Sequence, residues 1–140
     1  NTAQIVKYCQ FPSENITHAL CNFFKCFVDI KKFDWALDFA VREWSRRDSS
    51  IRSRLDQADS DRIMAVTECF VRHGYAAADA DARARIVYFM QLGYHALEVR
   101  EDMTTRMSRL EPYIKGFTGQ KPHADAVRAF LRDVGNMDYS

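Results

Sequence analysis

The stretch Ala82-Arg83-Ala84-Arg85-Ile86-Val87-Tyr88-Phe89-Met90-Gln91-Leu92-Gly93-Tyr94-His95-Ala96-Leu97 decides the fold. At about 100° per residue, Ala80, Ala84, Val87, Gln91 and Tyr94 line one side of a helix over 78–99. Ala82, Ile86, Phe89, Gly93 and Leu97 line another. A helix apolar on two sides must be covered on two sides, and a small lone domain rarely supplies both covers. The alanines and Gly93 allow close helix–helix approach. A mid-helix glycine costs about 1 kcal/mol against alanine, a loss that packing is expected to offset.

Outward from this segment the same helical period recurs. Upstream, Ile51, Leu55 and Ala58, then after a one-residue shift Ile63, Val66 and Phe70, mark a helical stretch over 51–73, read as one helix although the shift fits two as well. Asp48 or Ser49 caps it and Gly74 stops it, and Asp59 and Arg62 are spaced to pair along its polar middle. Before it, Asp34 caps a helix whose Trp35, Ala36, Phe39, Ala40, Val41 and Trp44 form a wide apolar arc ending at Arg46-Arg47. The first helix, with Ser13 as capping candidate, carries Ile16, Leu20, Phe23, Phe24, Phe27 and Val28 and runs to Lys32. Downstream, Met103, Met107, Leu110 and Ile114 form one stripe over 102–116, which Pro112 should kink or break. After a short glycine-rich loop over 116–120, a last helix over 122–134 turns Ala126, Val127, Phe130, Leu131 and Val134 inward. Strand alternation never persists. The fold class is all-α, an antiparallel bundle of about six helices over 13–134, with 1–12 as a residual linker or tail and 135–140 as a frayed end.

Composition narrows the function. The 140 residues suit one domain, and 47% hydrophobic with 28% charged residues is ordinary for a folded protein. The net charge of +1 gives no electrostatic bias toward nucleic acid, and no apolar run is long enough to cross a membrane. A cytoplasmic location is expected, because no signal peptide is legible and Cys9, Cys21, Cys26 and Cys69 read as buried reduced thiols. The close pair, Cys21 and Cys26, lies about 140° apart on a helix, which suits neither a zinc site nor a local disulfide. Asn15-Ile16-Thr17 fits a glycosylation acceptor, read here as chance. Asn1 in place of an initiating Met suggests a chain processed or cut from something longer.

Chemistry-bearing constellations are sparse. His18, His73, His95 and His123 are scattered, and His95 with Glu98 makes one helix-face pair, too little for a metal site. No phosphate-cradling glycine loop, HExxH or nucleophile turn occurs, so neither an enzyme nor a cofactor or metal is expected. The aromatic residues, 13% of the chain, concentrate on the first two helices. Ordinary core is the simpler account of each ring. Together they suggest an apolar cavity, with Tyr88, Gln91 and Tyr94 to supply its polar groups.

Taken in order, Phe39-Ala40-Val41-Arg42-Glu43-Trp44, Arg47-Asp48, Asp59 with Arg62, Phe70 to Tyr75 containing His73-Gly74, and Ala82 to Tyr88 followed by Leu92-Gly93 resemble the regulatory domain of the TetR family of bacterial transcriptional regulators. The resemblance covers roughly half of the chain. It implies a homodimer in which two helices of each subunit form a four-helix bundle, here the helix over 78–99 through Ala84, Val87, Gln91 and Tyr94, and the last helix through Val127, Phe130 and Val134. It also implies a pocket for a small apolar or aromatic effector, for which Phe24, Phe27, Trp35, Phe39, Phe70, Tyr88 and Phe89 are the candidates. The family's DNA-reading helix-turn-helix has no counterpart in these residues, so DNA would be met only through a part outside them. The alternative from another class is a small helical lipid or acyl carrier. A helical enzyme using His95 and Glu98 is a third option.

Overall fold

The computed structural model describes residues 1–29, 31, 33–97 and 99–136. Among them the regular structure is helical throughout, with no strand, in the order α1 (Thr2–Cys9), α2 (Ile16–Val28), α3 (Trp35–Ser45), α4 (Ser49–Arg72), α5 (Ala77–Ala96), α6 (Met103–Ser108), α7 (Leu110–Thr118) and α8 (Ala124–Gly135). α4 is one unbroken helix of 24 residues and the axis of the molecule. α1, α2, α3 and α5 all pack on it, α8 lies on α2, and α7 bridges α2 and α5.

The helix ends follow local chemistry. Asp48 Oδ1 accepts from Ser50 N and Ile51 N to start α4, and Asp34 accepts from Leu37 N to start α3. α2 starts later than Ser13 would place it. Asn15 of the Asn15-Ile16-Thr17 triplet is its cap, accepting from His18 N at 2.8 Å, while the Ser13 hydroxyl turns to His73 Nε2. The end expected at Lys32 lies outside the described residues.

Residues 1–12, expected as a linker or tail, contain a core helix. Ile5, Tyr8 and Cys9 of α1 are buried against α4 and α2. The expected interruption at Pro112 appears as the break between α6 and α7, three residues earlier at Arg109. A proline has no N–H for the carbonyl four residues back and its ring collides with it, so the helix must end at Ser108; Pro112 itself sits comfortably in the first turn of α7. α7 runs through the loop expected at Gly116 and stops at Gly119, whose φ of +70° suits glycine. There Arg83 Nη1 donates to the Phe117 carbonyl and Tyr75 Oη to that of Thr118, so α5 and the start of its loop hold the end of α7.

Two apolar clusters meet at Phe24. The larger gathers Ile5, Leu20, Phe23, Phe33, Val66, Phe70, Ala84 and Val87, the smaller Leu110, Ile114, Val127, Phe130 and Val134. Each large side chain so covered contributes about 1.5–3 kcal/mol over leaving it in water. All four cysteines are buried thiols; burial pushes that of Cys21 up to about 12.

α5 has two unlike flanks. Ala80, Ala84, Val87 and Tyr88 are closed against the chain's own helices. On the other flank Ile86 is 54%, Phe89 53% and Leu97 80% exposed. Nothing lies within 4 Å of the place where a Cβ on Gly93 would stand, so no neighbour inside the chain requires glycine there.

Candidate functional site

The middle of α5 meets a buried polar network at Tyr88. Arg62, 3% exposed, gives Nη1 to Asp38 at 3.0 Å and Nε to Thr2 Oγ1 at 2.9 Å. Arg42 bonds Asp38 through Nε and grips both oxygens of Asp59, at 2.9 and 2.7 Å. Tyr88 Oη donates to Asp59 Oδ1 at 2.5 Å and accepts from Arg62 Nη1 at 3.1 Å. The expected Asp59–Arg62 pairing along α4 is replaced by these contacts between helices. Burial corrects the apolar arc expected on α3: Asp38 and Ser45 are its fully covered residues, Trp35, Phe39 and Val41 are half-buried, and Trp44 faces outward. Burial opposes charge on Asp59, but hydrogen bonds from Arg42 and Tyr88 hold its carboxyl below the ordinary range. Two guanidinium groups face two carboxylates, and every member is paired. This is a structural clamp joining α1, α3, α4 and α5.

The C-terminal half of α5 faces a narrow cleft. Its walls are Phe24, Phe27 and Val28 of α2, and Met90, Gln91 and Tyr94 of α5. Arg106 and Met107 of α6 close one side, Leu110, Tyr113 and Phe117 of α7 another, and Phe130 of α8 the floor. Its free space of about 60 Å³ would take a few waters. Met90 and Met107 are unbranched, conformationally adaptable members of its walls. α6 buries none of its residues fully and is the least anchored wall.

Polar groups gather at this end. The Tyr94 and Tyr113 hydroxyls lie 2.5 Å apart, and burial, then this bond, pushes the Tyr94 phenol up to about 12. Arg106 stands 4.5 Å from the centre of the Tyr94 ring. Its Nε is 3.8 Å from Glu101 Oε1, too far for a hydrogen bond, while Arg109 takes the other oxygen of Glu101. Trp35 stacks on Phe27 and, at 3.5 Å between ring centres, on His95. Burial, then the nearby Arg106, depresses the His95 imidazole to about 4, leaving it neutral near pH 7. Among the described residues the buried side-chain polar atoms without a partner are Trp35 Nε1, Glu101 Oε1 and Arg106 Nε, all at this end of the molecule.

Of the pocket candidates read from the sequence, Phe24 and Phe27 line the cleft. Trp35 packs behind Phe27, with Phe39 stacked on its far side. Phe70 is deep core against Tyr75, Tyr88 belongs to the clamp, and Phe89 is on the open flank of α5. The interface candidates are redistributed. Ala84, Val87, Val127, Phe130 and Val134 are covered by the chain's own helices, so they have no surface left for a second copy. Gln91 and Tyr94 turn to the cleft instead. The small Ala80 and Ala84 let α4 approach α5 closely, and that seam sets the rotation of α5. Glu98, the partner suggested for His95, lies outside the described residues. Met90, Arg106, Tyr113 and Phe117 were not anticipated. The spacing of Leu110, Tyr113 and Phe117 was the available signal, a second stripe beside Ile114.

Elsewhere, Ser13 Oγ lies 2.8 Å from His73 Nε2, where burial lowers the imidazole's basicity, and ties the loop before α2 to the end of α4. Among the described residues no three His, Cys, Asp or Glu side chains are grouped to hold a metal ion, and no helix is long and apolar enough to cross a membrane. No protein-family model, curated protein or solved structure matches the chain.

Proposed function

We propose that the chain is the effector-binding and dimerisation domain of a TetR-type transcriptional regulator, acting on DNA through a helix-turn-helix outside these 140 residues. The observation that carries this reading is the position of α5. One end of it walls an apolar cleft around which unpaired buried polar atoms collect, and its open flank exposes Ile86, Phe89 and Leu97. A single helix thus borders both a small apolar cleft and an uncovered apolar stripe. A ligand preferring one position of α5 would thereby bias how two copies meet, and a difference of a few kcal/mol suffices for regulation. The stripe of Ala82, Ile86, Phe89, Gly93 and Leu97 takes the role of interface in this reading.

Sedimentation analysis tests it. A dimer at micromolar concentration is expected, and Gly93→Leu, which meets open space within the chain, should leave the helical fold intact and dissociate it. A clean monomer that still takes up an apolar ligand would replace this reading with the helical carrier, which the same cleft would serve.

A further inference from the structure

From the charge arrangement at the cleft we infer that its ligand is an apolar monocarboxylic acid whose carboxylate pairs with Arg106. The inference rests on reading the cleft as the effector site and adds the chemical class of the guest. Arg106 is the one charged side chain in the described lining, and the remaining walls are aromatic and thioether or aliphatic groups around Gln91. Its Nε is buried and has no acceptor. The Arg106 side chain is 25% exposed, but this one donor is shut off from water. An unmet donor on a charged group costs more than one on a neutral group, and a carboxylate is the acceptor whose geometry matches a guanidinium edge.

The neighbouring charges leave this demand open. Glu101 is the nearest anion, but one of its oxygens is held by Arg109 and the other stops 3.8 Å from Arg106 Nε. Arg106 and Arg109 against Glu101 leave one positive charge in excess. His95, packed beside Trp35, adds none because it is neutral near pH 7. Asp38, the acid nearest His95 on α3, is occupied by Arg62 and Arg42. A monoanion therefore balances the site, a cation is repelled, and a dianion overshoots. The narrow free space selects a slim tail, either an unbranched alkyl chain or a single ring. Because Arg106 and Met107 both ride on the weakly anchored α6, binding the acid would also draw that helix onto α5 and α7.

The test uses the full chain and matched probe pairs: octanoate against 1-octanol, and 3-phenylpropanoate against 3-phenylpropan-1-ol. Binding is read by calorimetry and by the emission of Trp35, which stacks on the cleft residue Phe27. The expected result at pH 7 is that at least one acid binds about tenfold or more tightly than its alcohol. Comparison of the two pairs distinguishes an aliphatic from an aromatic tail. Arg106→Gln should bring the acid down to the affinity of the alcohol, and Arg106→Lys should retain part of the preference. Glu101→Gln should raise acid affinity, a gain that misfolding cannot imitate. Equal binding of acid and alcohol, or a preference that survives Arg106→Gln, overturns the inference and leaves the effector reading standing. If neither acids nor alcohols bind at millimolar concentration, both fall.

Discussion

The middle and the C-terminal end of α5 solve the same problem in opposite ways. At mid-helix, Tyr88 enters a neutral cluster of two arginines and two aspartates in which each group finds partners on other helices. At its C-terminal half, Arg106, Glu101 and Trp35 keep buried polar atoms unmet beside a cleft walled by methionines and by the thinly anchored α6. A satisfied network holds one geometry because any movement breaks several bonds in a low-dielectric interior. An unsatisfied one marks where an additional partner gains most. The difference teaches where this molecule is rigid and where it can respond, and it puts both properties on one helix.

The comparison is broken most directly at the clamp. Arg62→Leu removes one of the two guanidinium groups paired with buried Asp38 and leaves Arg42 alone to it, and urea denaturation should register a loss of about 3 kcal/mol. A loss no larger than a surface substitution would mean that the clamp is dispensable and the contrast false. Next in size, Ala84→Leu forces a larger side chain into the closed α4–α5 seam and should cost about 1–3 kcal/mol by the same measurement. Phe89→Ser, one turn on but on the open flank, should change the stability of a single chain by no more than about 0.5 kcal/mol while weakening self-association.

Acid sharpens the other end. His95 is neutral in the fold down to about pH 4, whereas in the unfolded chain it takes a proton near its ordinary 6.5. Between those values the unfolded state binds more protons, so stability falls as pH drops through this window and levels off below it. With allowance for partial exposure, the loss should be on the order of 1 kcal/mol. His95→Gln should flatten that part of the pH–stability curve; an unchanged slope would show that other groups dominate. The groups facing His95 are Trp35, Gln91, Arg106 and Asp38, so the profile should also shift in Arg106→Gln. The remaining effect is a gain. Gly93→Ala fits open space at a helical position and should stabilise the isolated chain by about 0.5–1 kcal/mol, measured by thermal unfolding at low concentration.

Much of the architecture was legible because it is local. The helical character of 51–73, the Asp34 cap and the two-sided apolar character of α5 follow from spacing and capping chemistry alone, whereas the unbroken course of α4 and the choice of Asp48 over Ser49 as its cap do not. The break forced by Pro112 was legible too, although its position at Arg109 follows only once the clash is assigned to the carbonyl four residues back. The site was half legible. Phe24 and Phe27 were recognised as apolar rings on one helix and they do line the cleft, and Gln91 and Tyr94 supply polar groups to it. Phe70, Tyr88 and Phe89 look equivalent to them in the sequence, yet they end in the core, the clamp and the solvent-facing flank. Arg106 was invisible as a site residue, since one arginine among twenty Lys and Arg has no local mark.

Periodicity and end chemistry, read along the chain, therefore determined that this protein is helical, where most of its helices run, and that α5 is apolar on two sides. Only tertiary packing decided which side α4 would cover. That choice depends on how closely two helices approach, and the Ala80 and Ala84 seam sets it. Tertiary packing likewise decided that Asp38, Arg42, Asp59, Arg62 and Tyr88 would close on one another while Arg106 kept a donor unmet. Hydrogen-bond partners distant in sequence are chosen by the arrangement of helices in space, and no spacing rule along the chain carries that information.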